Sequence, residues 1–201
     1  MKGKIASVVK DIRFSVIREM GLRAAKYSGV ISLGIGEPDF DTPQDVCSSA
    51  LRDAVEGATH YTPSQGDPEL LAALSDYLRE HFTFEVGPRD MVITGGGMGA
   101  LTACFRTVLE PGDEVLLPEP HFPAYLAHIQ YAGGKVVHVP TTFSEGFIPT
   151  RRAVEAALTD RSRVLLLNSP NNPTGAVIPG EVLDDLARLA EERDLLVVSL
   201  C

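Results

Sequence analysis

Tryptophan is absent from the 201 residues, lysine occurs only as Lys2, Lys4, Lys10, Lys26 and Lys135, and cysteine only as Cys47, Cys104 and Cys201. The cysteines are odd in number, far apart and never in a Cys-x-x-Cys pair, so neither a disulfide framework nor a zinc site is expected. A reduced, cytoplasmic setting is. Three lysines stand in the first ten residues, but no unbroken apolar stretch of the length of a signal peptide or a membrane span follows them, so neither secretion nor a membrane partner is expected. Basic side chains are outnumbered by acidic ones, 18 to 27, and the formal charge of −9 repels phosphate backbones and anionic lipid; nucleic acid is excluded as an expected partner. Repeats, low-complexity tracts and Gly/Ser linkers are also missing. What is present is a 44% hydrophobic content, enough for one good core and the start of a second.

From about Met91 onward, short apolar runs alternate with amphipathic stretches, the pattern of an α/β fold with a mostly parallel sheet and covering helices. Strands are predicted at Met91 to Thr94, Glu114 to Leu117, Lys135 to Val139, Arg163 to Leu167 and Leu195 to Ser199, whose valine, leucine and isoleucine content suits two-sided burial. Helical spacing occupies Met98 to Leu109, Phe122 to Tyr131, Thr150 to Leu158 and Pro179 to Arg193, with stops at Pro111-Gly112 and Gly133-Gly134. The first ninety residues differ: a polar amphipathic start, a Gly/Pro-rich segment from Gly34 to Pro43 and a helix from roughly Pro68 to Phe82. They read as an arm preceding the sheet.

Three segments carry chemistry. Thr94-Gly95-Gly96-Gly97-Met98-Gly99-Ala100 lies where a strand should end and a helix begin; glycines there admit close approach of a ligand, and the exposed N–H groups of a helix start favour phosphate. The bland alternative is a tight turn with no ligand. Gly95, Gly97 and Ala100 also fit a dinucleotide fingerprint with Glu119 as the ribose-binding acid. A Tyr131/Lys135 pair would suit a dehydrogenase, but Gly133-Gly134 breaks the helix that would have to present both on one face. The second segment is Asn168-Ser-Pro-Asn171-Asn172-Pro173-Thr174-Gly175, where two prolines forbid a helix and an ordered loop offers amides at the carboxyl end of a strand, the edge at which open α/β sheets bind ligands. The third is Leu33-Gly-Ile-Gly36-Glu37-Pro38-Asp39-Phe40-Asp41-Thr42-Pro43, followed by Tyr61 and Gly66; alone it reads as a turn in which Asp41 or Thr42 caps the next helix.

In this order and spacing, from about Val30 to Ser199, the segments closely resemble the class I/II aminotransferases of the aspartate aminotransferase superfamily, fold-type I enzymes that use pyridoxal 5'-phosphate. Further markers are Pro111-Gly112-Asp113 and Glu119-Pro-His-Phe-Pro-Ala-Tyr125. The resemblance implies that residues 1–45 form an amino-terminal arm and small-domain segment and residues 46–201 part of the large cofactor-binding domain. It implies backbone amides of Gly97 and Met98 on the cofactor phosphate, Phe122 stacked on the pyridine ring, Asn172 on the ring oxygen and near substrate, Gly36 on the substrate α-carboxylate, and Tyr61 reaching the phosphate of the other subunit of a homodimer. Where many relatives carry a hydroxyl or a lysine, Met98 leaves only the main chain to donate. Phe122 is a smaller platform than the tryptophan often found there.

The resemblance further implies transfer of an amino group from an amino acid to a 2-oxo acid. After Val197-Val198-Ser199 the family continues with the aspartate that pairs with the pyridinium nitrogen and, later, the Schiff-base lysine, whereas this sequence reads Leu200-Cys201. None of the five lysines occupies the family's lysine position, so no catalytic residue is expected in this chain. The alternatives are a non-catalytic fragment with weak phosphate or cofactor binding and a dinucleotide-binding oxidoreductase.

Overall fold

The computed structural model describes residues 16–34, 36–82 and 84–201, together with Ala6 and Val9; Lys2, Lys4 and Lys10 lie outside the described residues. The described chain divides into two compact units, Val16–Ala100 and Leu101–Cys201.

The second unit is a four-stranded sheet of order β2-β1-β3-β4, with β1 Glu114–Glu119, β2 Lys135–Pro140, β3 Ser162–Asn168 and β4 Leu196–Leu200. Every pairing is parallel. The unit also holds most of α4 (Gly96–Val108), then α5 (Ala124–Tyr131), α6 (Arg151–Ala157) and α7 (Gly180–Glu192). The helices sort by face. Leu101, Phe105 and Leu109 of the α4 region and Tyr125 and Ile129 of α5 pack with Val115, Leu117, Val164 and Leu166. Val154 of α6 and Leu186, Leu189 and Ala190 of α7 pack with Leu116, Val139, Leu165 and Leu167 on the opposite face. Right-handed crossovers require this: the step from β1 to β2 runs one way along the sheet and the step from β2 to β3 runs back, so the covering helix must change sides. Interior β3 buries four consecutive residues, Val164 to Leu167, each worth about 1.5–3 kcal/mol against exposure. Edge strand β4 keeps Leu196 and Val197 exposed, so the two-sided burial read from its composition is only partly realised.

The first unit contains α1 (Val16–Ala24), α2 (Gln44–Val55), α3 (Pro68–Phe82) and a short 3-10 turn at Pro88–Asp90. Its core is sparse: Leu71 and Met91 are its buried hydrophobic side chains among the described residues. The strand predicted at Met91 to Thr94 is not one. Its segment joins no ladder, and Gln65 holds it instead: Nε2 donates to the Met91 carbonyl, as to those of Pro88 and Arg89 just before it, and the Gln65 carbonyl accepts from the Ile93 N–H at 2.8 Å. Gly66 is required beside it, because φ is +125° and a Cβ there would stand 2.5 Å from Ile93 Cγ1. Neither Asp41 nor Thr42 caps α2; Pro43 holds the N-cap position and no side chain bonds across it.

Candidate functional site

In the sheet unit, β1 and β3 are neighbours whose following connections leave in opposite directions, to β2 and to β4, and such a switch point opens a crevice at the carboxyl ends of the strands. Two predicted site residues stand there. Phe122 follows β1 by three residues, is half-buried, and meets Tyr125 edge-on with ring centroids 5.6 Å apart. Asn172 follows β3 by four residues and is exposed; its N–H donates to Asn168 Oδ1 at 2.9 Å, and among the described residues its side-chain amide has no hydrogen-bond partner.

The loop that presents Asn172 is held by its neighbours. Asn168 Nδ2 donates to the Leu200 carbonyl at 3.2 Å, locking the loop's start to β4. Asn171 Nδ2 donates to the Pro120 carbonyl at 3.1 Å and to Thr174 Oγ1 at 2.8 Å, joining the loop after β3 to the loop after β1. Ser169 Oγ accepts from the Ile178 N–H at 3.0 Å. The sequence motif thus divides its labour: Asn168 and Asn171 build the loop and Asn172 faces out. Proline content alone signalled the ordered loop, whereas the roles of Asn168 and Asn171 depend on partners distant in sequence.

Between these loops a cavity is lined by Glu119, His121, Tyr125, Phe147, Asn168 and Asn171. Burial pushes the Tyr125 phenol above its ordinary pKa, so it is a neutral wall of this cavity. Glu119 pairs with His138, Nδ1 to Oε1 at 2.8 Å, and the rings of His121 and His138 stack at 5.7 Å. Sequence reading singled out neither histidine.

The other predicted residues lie in the first unit. Helix α4 starts at Gly96, so the amides of its first turn, Gly97 and Met98 among them, lie at an exposed helix start. Gly96 has φ +74°, a conformation that other residues resist. Gly36 and Tyr61 are exposed, Tyr61 completely. Gly133-Gly134 do end the helix that carries Tyr131, and Lys135 opens β2, so no Tyr-x-x-x-Lys face forms. Tyr131 instead lies under the Arg106 guanidinium, 5.5 Å from the ring centroid.

The profile of the family described as aminotransferase class I and II matches residues 28–199. The sequence is similar to an aspartate/prephenate aminotransferase of Thermus thermophilus, 46% identical over 170 residues that make up 85% of this chain and 44% of the relative. It is also similar to an aspartate aminotransferase of Pyrococcus horikoshii, 38% identical over 195 residues, 97% of this chain and 50% of the relative. The solved aspartate aminotransferase from Thermus thermophilus with maleate superposes with a TM-score of 0.92 at 42% identity, covering 99% of this chain and 53% of that one. The chain therefore spans about half the length of the curated relatives it matches.

Proposed function

We propose a function from the premise that this chain belongs to the aminotransferase class I and II family: the protein moves an amino group between an amino acid and a 2-oxo acid with pyridoxal 5'-phosphate, and this chain supplies groups that hold the cofactor's phosphate and ring. The observation that carries the reading is the placement of Phe122 and Asn172 on the loops after two neighbouring parallel strands, at the switch point of the sheet. The dinucleotide alternative explains the glycines but gives no role to the loop of Asn168 to Gly175.

The residues present fit such a cofactor. A Cβ built at Gly95 or Gly97 meets nothing within 4 Å, so packing does not demand glycine there, while an approaching phosphate does. The Asn172 amide is exposed and uncommitted, and the half-buried Phe122 ring keeps part of its surface open. When bound, pyridoxal phosphate supplies a conjugated ring that draws electrons from the substrate's α-carbon. Main-chain amides of Gly97 and Met98 would hold the phosphate, Phe122 would cover one side of the ring and exclude water, and Asn172 Nδ2 would donate to the ring oxygen. Gly36 offers its backbone to the substrate carboxylate, and the exposed Tyr61 reaches the phosphate held by a second subunit of a homodimer. The names of the relatives make aspartate the first amino donor to test.

Covalent attachment of the cofactor is assigned to no lysine of this sequence. Lys135 opens β2 at the amino-terminal edge of the sheet, about 17 Å of strand away from the edge that carries Phe122 and Asn172. Lys26 sits exposed in the turn after α1. Mixing the chain with pyridoxal phosphate, reducing with borohydride and mapping the label tests this. Reversible binding of pyridoxamine phosphate with no stoichiometric lysine label is the expected result. One specific label per chain would overturn the assignment, and failure to bind pyridoxamine phosphate would overturn the cofactor reading itself.

A further inference from the structure

Along β1, Val115, Leu117 and Glu119 share one face of the sheet, and along β2 Val136 and His138 share the same face, because β2 pairs in parallel with β1 in the register Leu117↔His138. The apolar stripe that packs α4 and α5 ends in a carboxylate and an imidazole, side by side at the carboxyl edge. His121, two residues beyond Glu119, adds a second imidazole. One ligand atom from each of Glu119, His121 and His138 lies within 4.8 Å of the other two, and this is the cluster of its kind among the described residues.

From this arrangement we propose that Glu119, His121 and His138 bind a divalent transition-metal ion of the zinc class. Two imidazoles and one carboxylate are the donor set that zinc, cobalt and nickel accept, with the remaining position left to water. His121 Nδ1 lies 3.2 Å from the Phe122 carbonyl, to which only an Nδ1–H can donate; that contact orients the ring and leaves Nε2 as the nitrogen for a metal, the way a carbonyl commonly fixes a ligating histidine. His138 Nδ1 and Glu119 Oε1 already stand 2.8 Å apart, so two of the three donor atoms are together before any ion arrives. Tetrahedral zinc with bonds of about 2.0–2.1 Å needs ligand atoms about 3.3 Å apart. Closing from 4.8 Å is within the rotamer freedom of side chains that are 45% exposed at His138 and 49% at Glu119. The main chain beneath is fixed: Thr141 Oγ1 donates to the Glu119 carbonyl, tying the end of β1 to the loop after β2.

Titration of the chain with Co²⁺, followed by visible d–d absorption, tests the proposal. One ion per chain is expected, displaced by Zn²⁺, with no thiolate charge-transfer band. His121→Ala and His138→Ala should each weaken binding by at least about tenfold, since loss of even an outer partner costs about 10–100-fold. His138→Gln, which keeps the bulk of the side chain, should do the same at an unchanged urea midpoint, separating ligand loss from unfolding. Absence of binding, a thiolate band from the cysteines, or equal affinity in the wild type and the histidine variants would each overturn the site.

Discussion

Adjacent asparagines of one loop should fail in opposite ways when truncated. Asn171→Ala removes two hydrogen bonds, to the Pro120 carbonyl and to Thr174 Oγ1, from a half-buried side chain. At about 0.5–1.5 kcal/mol each, the loss is about 1–3 kcal/mol. With a urea slope of about 2 kcal/mol per molar, the unfolding midpoint should fall by about 0.5–1.5 M. Asn172→Ala removes an exposed amide that bonds to no described residue, and such changes stay within about 0.5 kcal/mol, so its midpoint should move by less than about 0.25 M. Cofactor affinity should show the reverse order. A donor to a charged or polarised oxygen is worth about 1.5–3 kcal/mol, which makes binding of pyridoxamine phosphate about 10–150-fold weaker in Asn172→Ala. The alanine at Asn171 acts on the cofactor only through the loop and should cost less. Urea unfolding followed by circular dichroism and a fluorescence titration of pyridoxamine phosphate give both numbers on the same samples. Equal midpoint losses in the two variants, or an unchanged affinity in Asn172→Ala, would refute the division of labour and the placement of the ring.

Two further outcomes follow from the ionisable groups. Burial holds the half-buried Cys104 thiol above its ordinary pKa, while Cys47 and Cys201 are exposed, so a disulfide reagent at neutral pH should modify two thiols quickly and the third more slowly; three equal rates in the native chain would contradict the packing of α4. The hydrogen bond from Arg151, which also bridges to Glu155 at 3.1 Å, holds the Glu192 carboxyl below its ordinary pKa. Its contribution is therefore present above the unfolded carboxylate pKa and lost as pH falls through the folded one. Glu192→Gln should lower the urea midpoint slightly at neutral pH and not at all at the acid end, the effect being small because both partners reach solvent; a variant whose deficit grew as pH fell would show that the pair is not what α6 and α7 share.

What could be read from the sequence and what could not follow one physical line. Strands β1, β2 and β3 were legible because two-sided burial writes itself as unbroken Val/Leu runs, and α5 and α7 because glycine or proline marks their ends. Met91 to Thr94 carries the same apolar signature and fails, because a strand is defined by its partner, and here no strand pairs with it; Gln65 bonds only the Met91 carbonyl and the Ile93 N–H. The positions of Phe122 and Asn172 after strand ends were legible for the reason that the strands were. The meeting of Glu119 with His138 was not, since the two are far apart in sequence and come together only through the pairing of β2 with β1. A slip of that register by one residue would turn His138 to the side of Leu116 and Leu165, and bring Val139 out of the core into its place. Packing forbids the slip, because Val139 and Val154 are fully buried together on that side. The hydrophobic requirement of one face of the sheet therefore fixes the polar cluster at the end of the other.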